Sequence, residues 1–292
     1  MGNRIFLIMV ILISSAVWFV DPKETLNVVL AIGLDEIRNS AGQLLEDPIV
    51  SDEIMIESAC GPGSENVDSC REIEQSILSS TLRIEIKTWI IYVEGEGYAS
   101  LFSNGHGTVM GGRYLLTHNH FKLPLLELLA DDFNGELATI TLYTAGGNVL
   151  WKGALATAGV VHDDSETLLL EFLDREGRGL FESLGIPSAN FIAERDVLLA
   201  TGMQVAQVNW DQDLAYVQWT KVKAVNNDAD SPAVDLAECL IPGSSGGGVF
   251  LNGAHIANNW SRSTGCIEGS DDDGLLYSTA ALNSAELLAA SR

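Results

Sequence analysis

The sequence predicts an all-β protein of antiparallel sandwich or barrel architecture, set behind an N-terminal helical extension. Two observations carry this. From Leu82 onward apolar residues recur with period two rather than at helical spacing, and the strand-like runs succeed one another without intervening helices. Scale comes from composition: 292 residues, 47% of them hydrophobic, suffice for a large packed core and for more than one folded unit. The 16 Lys+Arg against 40 Asp+Glu leave a net charge of −24. Such a surface repels phosphate backbones and anionic headgroups, so no nucleic-acid partner is expected.

In chain order, Ile5 to Val20 are uniformly apolar or small and follow Arg4. The run is shorter than the ~20 residues of a transmembrane helix and has the form of an export signal. Ser14-Ser15-Ala16 offers a cleavage point, while Val17 to Val20 stay apolar beyond it, so residues 1–20 are a signal peptide or an anchor. The expected location is therefore secreted or extracytoplasmic, without stable membrane insertion unless residues 5–20 act as that anchor. Asp21-Pro22-Lys23-Glu24 then starts a helix carrying Leu26, Val29, Leu30, Ile37, Ala41 and Leu44 at helical spacing, and Pro48 ends it. Ser51 to Ser80 is polar, with a Gly61-Pro62-Gly63-Ser64 turn between Cys60 and Cys70. Residues 21–81 thus form a helical and linker segment, or pro-region.

The period-two series opens with Leu82/Ile84/Ile86. Leu137 to Tyr143, Gly146-Gly147 and Val149 to Ala154 read as a hairpin, and Val197 to Ala200, Gln204 to Trp210, Leu214 to Val225 and Val249 to Asn258 read as further strands. Only Asn283 to Ala290 looks helical again. The cysteines, Cys60, Cys70, Cys239 and Cys266, are even in number and lack the paired spacing of a zinc site, which in an exported chain favours disulfides.

Three patterns could carry chemistry. Gly105-His106-Gly107-Thr108-Val109 is followed by Arg113-Tyr114-Leu115-Leu116-Thr117-His118-Asn119-His120, a strand ending in histidines. Asp163-Asp164-Ser165-Glu166 runs into the buried-looking Thr167-Leu168-Leu169-Leu170-Glu171-Phe172. Pro242-Gly243-Ser244-Ser245-Gly246-Gly247-Gly248-Val249-Phe250 sets a serine in a tight glycine loop. A serine hydroxyl becomes nucleophilic only when an imidazole accepts its proton, and the imidazole needs a carboxylate to fix its tautomer. Glycines around the serine let the backbone bend and aim the N–H groups of Gly243 and Ser245 at one point, where an oxyanion forms.

In this order the patterns resemble the chymotrypsin-like, trypsin-fold serine proteases of the bacterial exported branch, over about residues 82 to 285. The resemblance implies two six-stranded antiparallel β-barrels, 82–180 holding base and acid and 181–292 holding the nucleophile and a short C-terminal helix. Leu116-Thr117-His118-Asn119-His120 matches the family's Leu-Thr-x-x-His, which makes His120 the general base. Gly243 to Gly247 match Gly-x-Ser-Gly-Gly, which makes Ser245 the nucleophile and Gly243 with Ser245 the oxyanion donors. Glu166-Thr167-Leu168-Leu169-Leu170 matches Asp-x-x-Leu-Leu, with Glu166 where Asp is usual and Asp164 and Asp163 competing for the role. The activity implied is a serine endopeptidase, monomeric, acting on protein or peptide substrates without metal or other cofactor. Asn259, Trp260 and Ser261 would line the substrate groove, with the peptide pairing as an added strand.

By the same resemblance Cys239 pairs with Cys266 beside the specificity pocket, leaving Cys60 to close a local loop with Cys70. Cys239 stands where an aspartate selects basic side chains in trypsin-type members, and only the overall negative field favours a basic side chain before the cut. Ser244 occupies the position whose aspartate, in animal-type members, pairs with a newly freed N-terminal amine, and no Ile-Val-Gly-Gly-like segment is present. The rival functions are a catalytically inactive trypsin-fold binding module, which Glu166 keeps open, and an α/β-hydrolase esterase with Gly-x-Ser-x-Gly. The esterase needs a histidine well beyond the serine, yet only His255 follows it, on the next strand. His118 and His120 as metal ligands lack a third ligand at suitable spacing.

Overall fold

The computed structural model describes residues 60, 67–93, 97–119, 138–164, 166–211, 213–226, 232–269 and 274–291. The expected signal or anchor, the helix after Pro22 and His120 lie outside the described residues. Residues 57–92 and 100–292 form one compact unit.

Seven strands from the first part of that unit make one curled sheet: β1 (Thr81–Val93), β2 (Gly97–Met110), β3 (Tyr114–His118), β4 (Ala138–Thr144), β5 (Val149–Ala154), β6 (Ala158–Asp163) and β7 (Thr167–Phe172), in the order β5-β4-β1-β2-β3-β7-β6. Leu82, Ile84 and Ile86 are fully buried on one face of β1, against Ile140, Leu142, Leu115, Leu168 and Leu170. The Leu-Leu runs of β3 and β7 have no polar face because both sides of these strands are covered. Leu115, Leu168 and Leu170 enter the sheet's own core, while Leu116 and Leu169 meet Leu287 of the C-terminal helix.

The second group comprises β8 (Asn190–Phe191), β9 (Gln204–Asp211), β10 (Leu214–Asn226), β11 (Ala233–Leu236), β12 (Gly248–Leu251), β13 (Ala254–Arg262) and β14 (Ser278–Leu282). Their order is β12-β9-β10-β11-β14-β13-β8, and β12 also pairs with β13, which closes six of them into a barrel with β8 added in parallel. Val205, Val222, Val234, Leu236, Val249, Ile256, Ala257, Ala280 and Leu282 fill it. This is the all-β antiparallel architecture that the sequence predicts, with one closed six-stranded barrel as the resemblance implies and a curled seven-stranded sheet in place of the other.

Three local readings need correction. The polar stretch before Ser80 contains helix α1 (Val67–Ser79). Its only apolar stripe, Ile73 and Ile77, packs on the outside of the second barrel against Val208, Trp210, Trp219 and Phe250, and Glu74 accepts a 2.7 Å bond from the Trp219 indole. The Cys60–Cys70 bridge ties its first turn to the preceding chain. Val197 to Ala200 is not a strand. Val249 to Asn258 is two strands, joined at Asn252 (φ 50°) and Gly253 (φ 80°), the pair of positive φ values that a two-residue primed hairpin turn requires. Two short helices, α2 (Leu180–Ser183) and α3 (Thr264–Glu268), precede the expected C-terminal helix α4 (Ala285–Ala290). In α4 the Ser284 hydroxyl accepts from Leu287 N–H at 3.0 Å as the N-cap.

Candidate functional site

The glycine-serine loop leaves the barrel after β11 and rests on β2 and β3 of the seven-stranded sheet. Pro242-Gly243 forms the centre of a turn in which Ser244 N–H donates to Ile241 C=O at 3.0 Å, and Gly243 has the positive φ of 92° that favours glycine there. Gly246 has φ 84°, and a Cβ on it would run into the His106 carbonyl, with Thr117 Oγ1 at 2.7 Å and the His118 ring at 2.9 Å. Glycine is thus required twice over, by conformation and by contact with β2 and β3.

Hydrogen bonds fix the loop on all sides. His106 N–H donates to Ser245 C=O at 3.0 Å, and the Thr117 hydroxyl donates to His106 C=O at 2.5 Å. Gly246 N–H donates to Asn259 C=O at 2.8 Å, Asn259 N–H to Gly247 C=O at 2.8 Å, and Gly247 N–H to Ser244 C=O at 3.0 Å. The N–H groups of Ser244, Gly246 and Gly247 are therefore used within the chain. Those of Gly243 and Ser245 donate to no acceptor among the described residues. Both residues are half-buried, so in a loop held this firmly these two N–H groups remain open to a bound group.

The acid side is built from the turn before β7. Asp164 spends its carboxylate on that turn. Oδ1 accepts Glu166 N–H at 2.9 Å and Thr167 N–H at 2.6 Å, while Oδ2 accepts the Thr167 hydroxyl at 2.5 Å and lies 3.2 Å from His162 Nε2. Burial pushes this carboxyl up, but the Thr167, Glu166 and His162 bonds outweigh it and hold Asp164 below the usual carboxylate range. The half-buried Glu166 stands between this cap and β7. Its carbonyl accepts Asn119 N–H at 3.1 Å, and Asn119 Nδ2 donates to Asp164 C=O at 2.6 Å. The residue just before His120 is thus tethered twice to the turn that carries Glu166. His118 is buried with its ring against Gly246, under the loop.

Of the expected groove residues, Asn259 is fully buried, and its amide accepts from Gln207 Nε2 and donates to Val208 C=O, each at 2.9 Å. Trp260 sits at a bulge where β13 slips against β14 between Asn259 and Ser261, and both Trp260 and Ser261 are half-exposed. Cys239 is bridged to Cys266, joining the segment before the loop to α3. In the chain-entropy picture, closing 27 residues contributes about 3.5 kcal/mol. Replacing both cysteines by serine is expected to lower stability by about that amount in urea melts; an unchanged midpoint contradicts it. The two bridges suit an oxidising compartment, and among the described residues no helix is long and apolar enough to cross a membrane.

Sequence reasoning missed the loop's buttress. His106 is fully buried and stacks on Trp210 with ring centroids 3.7 Å apart. Burial, aided by the Arg83 charge and opposed by the Gly243 backbone, holds its imidazole well below the ordinary histidine range. His255 is likewise buried, and burial outweighs its Asn283 bond to lower its pKa from 6.5 to about 3. Both are neutral in the folded chain, whereas unfolded histidines take up protons below about pH 6.5. Stability is therefore lost progressively as pH falls from 6.5 toward 3, by up to about 1.4 kcal/mol per pH unit per histidine. Asp164 adds loss at the acid end, as pH drops from its unfolded value of 3.8 through its lower folded one. Urea midpoints are expected to fall between pH 7 and 5 and to fall less steeply in His255→Gln; a flat profile in the wild type contradicts this.

No family model matches the chain, and no curated protein matches it. Among solved structures it is similar to an HtrA-type protease with a decapeptide, at 13% identity and TM-score 0.48. That match covers 71% of this chain and 62% of the other, so the chain spans less than two thirds of that neighbour. It is also similar to the Rv3671c protease in its inactive form, at 15% identity and TM-score 0.46, covering 78% of this chain and 94% of that one. A serine-to-alanine mutant of Rv3671c from M. tuberculosis H37Rv matches at 14% identity and TM-score 0.46, over 81% and 95%.

Proposed function

We propose that the chain is an exported serine endopeptidase in which Ser245 is the nucleophile, His120 the general base and Glu166 the carboxylate behind it. The observation that carries the reading is the pair of idle N–H groups, Gly243 and Ser245, in a loop whose other N–H groups are all bonded. Ser245 Oγ attacks the scissile carbonyl while His120 takes its proton. The developing oxyanion is held by the Gly243 and Ser245 N–H groups, each contributing about 3 kcal/mol of transition-state stabilisation. His120 returns the proton to the leaving amine, and water then hydrolyses the Ser245 ester by the same route. The commitment of both Asp164 carboxylate oxygens to their own turn supports Glu166 as the group that orients His120. The peptide is read as an added strand beside Trp260 and Ser261. Residues 5–20 serve as export signal or anchor, and the enzyme acts as a monomer without a cofactor.

The test is hydrolysis of a peptide-library substrate by the purified chain, with mass spectrometry of the acid-quenched enzyme. Turnover with an acyl adduct on Ser245, absent in Ser245→Ala, supports the reading. A folded wild type that neither turns over nor acylates sinks it in favour of a binding module.

A further inference from the structure

The second barrel contains a bond that the chemistry above does not use. β9 pairs with β12 only at Val249↔Gln207 and Phe250↔Ala206, because β12 begins at Gly248. β9 itself runs on to Asp211, so Trp210 lies beyond the end of that ladder. Its N–H would face a missing strand. The Ser244 hydroxyl takes the strand's place and accepts Trp210 N–H at 3.0 Å, with Ser244 fully buried and Trp210 nearly so. Trp210 is fixed in turn by its stack on His106, whose own N–H holds the Ser245 carbonyl.

We infer that Ser244 is a positioning residue, a permanent latch that keeps the Gly243 and Ser245 N–H groups set for the oxyanion in the uncut chain. The inference rests on the peptidase reading and specifies its regulation. Turning the 243–245 peptides away from the oxyanion position would strip Trp210 N–H of the Ser244 hydroxyl, its one acceptor among the described residues, in a buried setting, a costly state for a backbone donor. The latch is a neutral hydroxyl on a neutral N–H, so it needs no ion pair and no new chain terminus. Site formation is accordingly independent of proteolytic processing at the N-terminal side.

The experiment uses the full chain as wild type, Ser244→Ala and Ser244→Thr, and measures kcat, KM, the rate of fluorophosphonate labelling and the thermal midpoint. Ser244→Ala is expected to lower kcat and the labelling rate together, by about 10- to 100-fold, with KM within about threefold, because the loss falls on oxyanion stabilisation and not on peptide binding. Ser244→Thr, which keeps the hydroxyl, should recover part of it. Unchanged kcat in Ser244→Ala, a loss confined to KM, or a wild-type chain that becomes active only after removal of N-terminal residues overturns the latch while leaving the peptidase reading standing. A wild type inert both before and after such removal overturns the peptidase reading itself, and the latch with it.

Discussion

Ser245→Ala is expected to lower kcat by about 10⁶-fold while leaving stability within about 0.5 kcal/mol of wild type. The two effects separate because the loop does not depend on this side chain. Ser245 is held through its carbonyl, bonded to His106 N–H, and its neighbours through Asn259, Ile241 and Trp210. Removing Oγ deletes the proposed nucleophile and, among the described residues, no bond that shapes the loop. His120→Ala should cost a similar factor, and the double mutant little more than either alone, since base and nucleophile act as one unit. A residual rate of about 10³-fold over water should survive, supplied by the oxyanion donors. Steady-state kinetics on a peptide ester, paired with thermal melts, checks each part. A Ser245→Ala enzyme retaining a tenth of wild-type activity contradicts it.

Glu166→Gln is expected to lower kcat by up to about 10⁴-fold, because a neutral amide presents the wrong partner to the imidazole and no longer stabilises its charged form. Asp164→Asn should act elsewhere. Both Asp164 oxygens are engaged by the turn, so an amide there places an N–H₂ donor against the Thr167 hydroxyl and His162. It should cost about 1–2 kcal/mol of stability with little change in kcat at permissive temperature. The extra methylene of Glu over Asp is tolerable in this role, since the acid orients the base and does not take the proton. The opposite order of damage in kinetics would place the strand register wrong by two residues and give the role to Asp164.

Where the chain alternates strictly, its fold was legible. Leu82/Ile84/Ile86, the hairpin across Gly146-Gly147 and the long β9 and β10 all formed as period two predicts. The Asn252-Gly253 turn was missed inside an apolar run, although Asn-Gly flanked by strand residues is itself a hairpin signal. Helix α1 was hidden because its packing face is only Ile73 and Ile77, too narrow a stripe to stand out from Ser, Glu and Asp neighbours. At the site, the glycines declared the loop, and Gly246 is where the declaration has its clearest physical cause. Ser244, His106 and Trp210 could not be read in advance. Their roles are a hydroxyl on a strand's spare N–H and a ring stack between residues more than 100 positions apart, contacts that leave no periodic trace. Gln207 and Asn259 gave a fainter sign, as polar side chains at buried strand positions that an apolar barrel does not need.

The most direct test of the central claim, that Ser245 is a base-activated nucleophile, is peptide mapping of the secreted chain after brief exposure to a fluorophosphonate at neutral pH. The account predicts a single stoichiometric adduct on Ser245 in the wild type, none in Ser245→Ala, and labelling slowed by several orders of magnitude in His120→Ala. Equal labelling of wild type and both mutants, or an adduct on another serine, would contradict it.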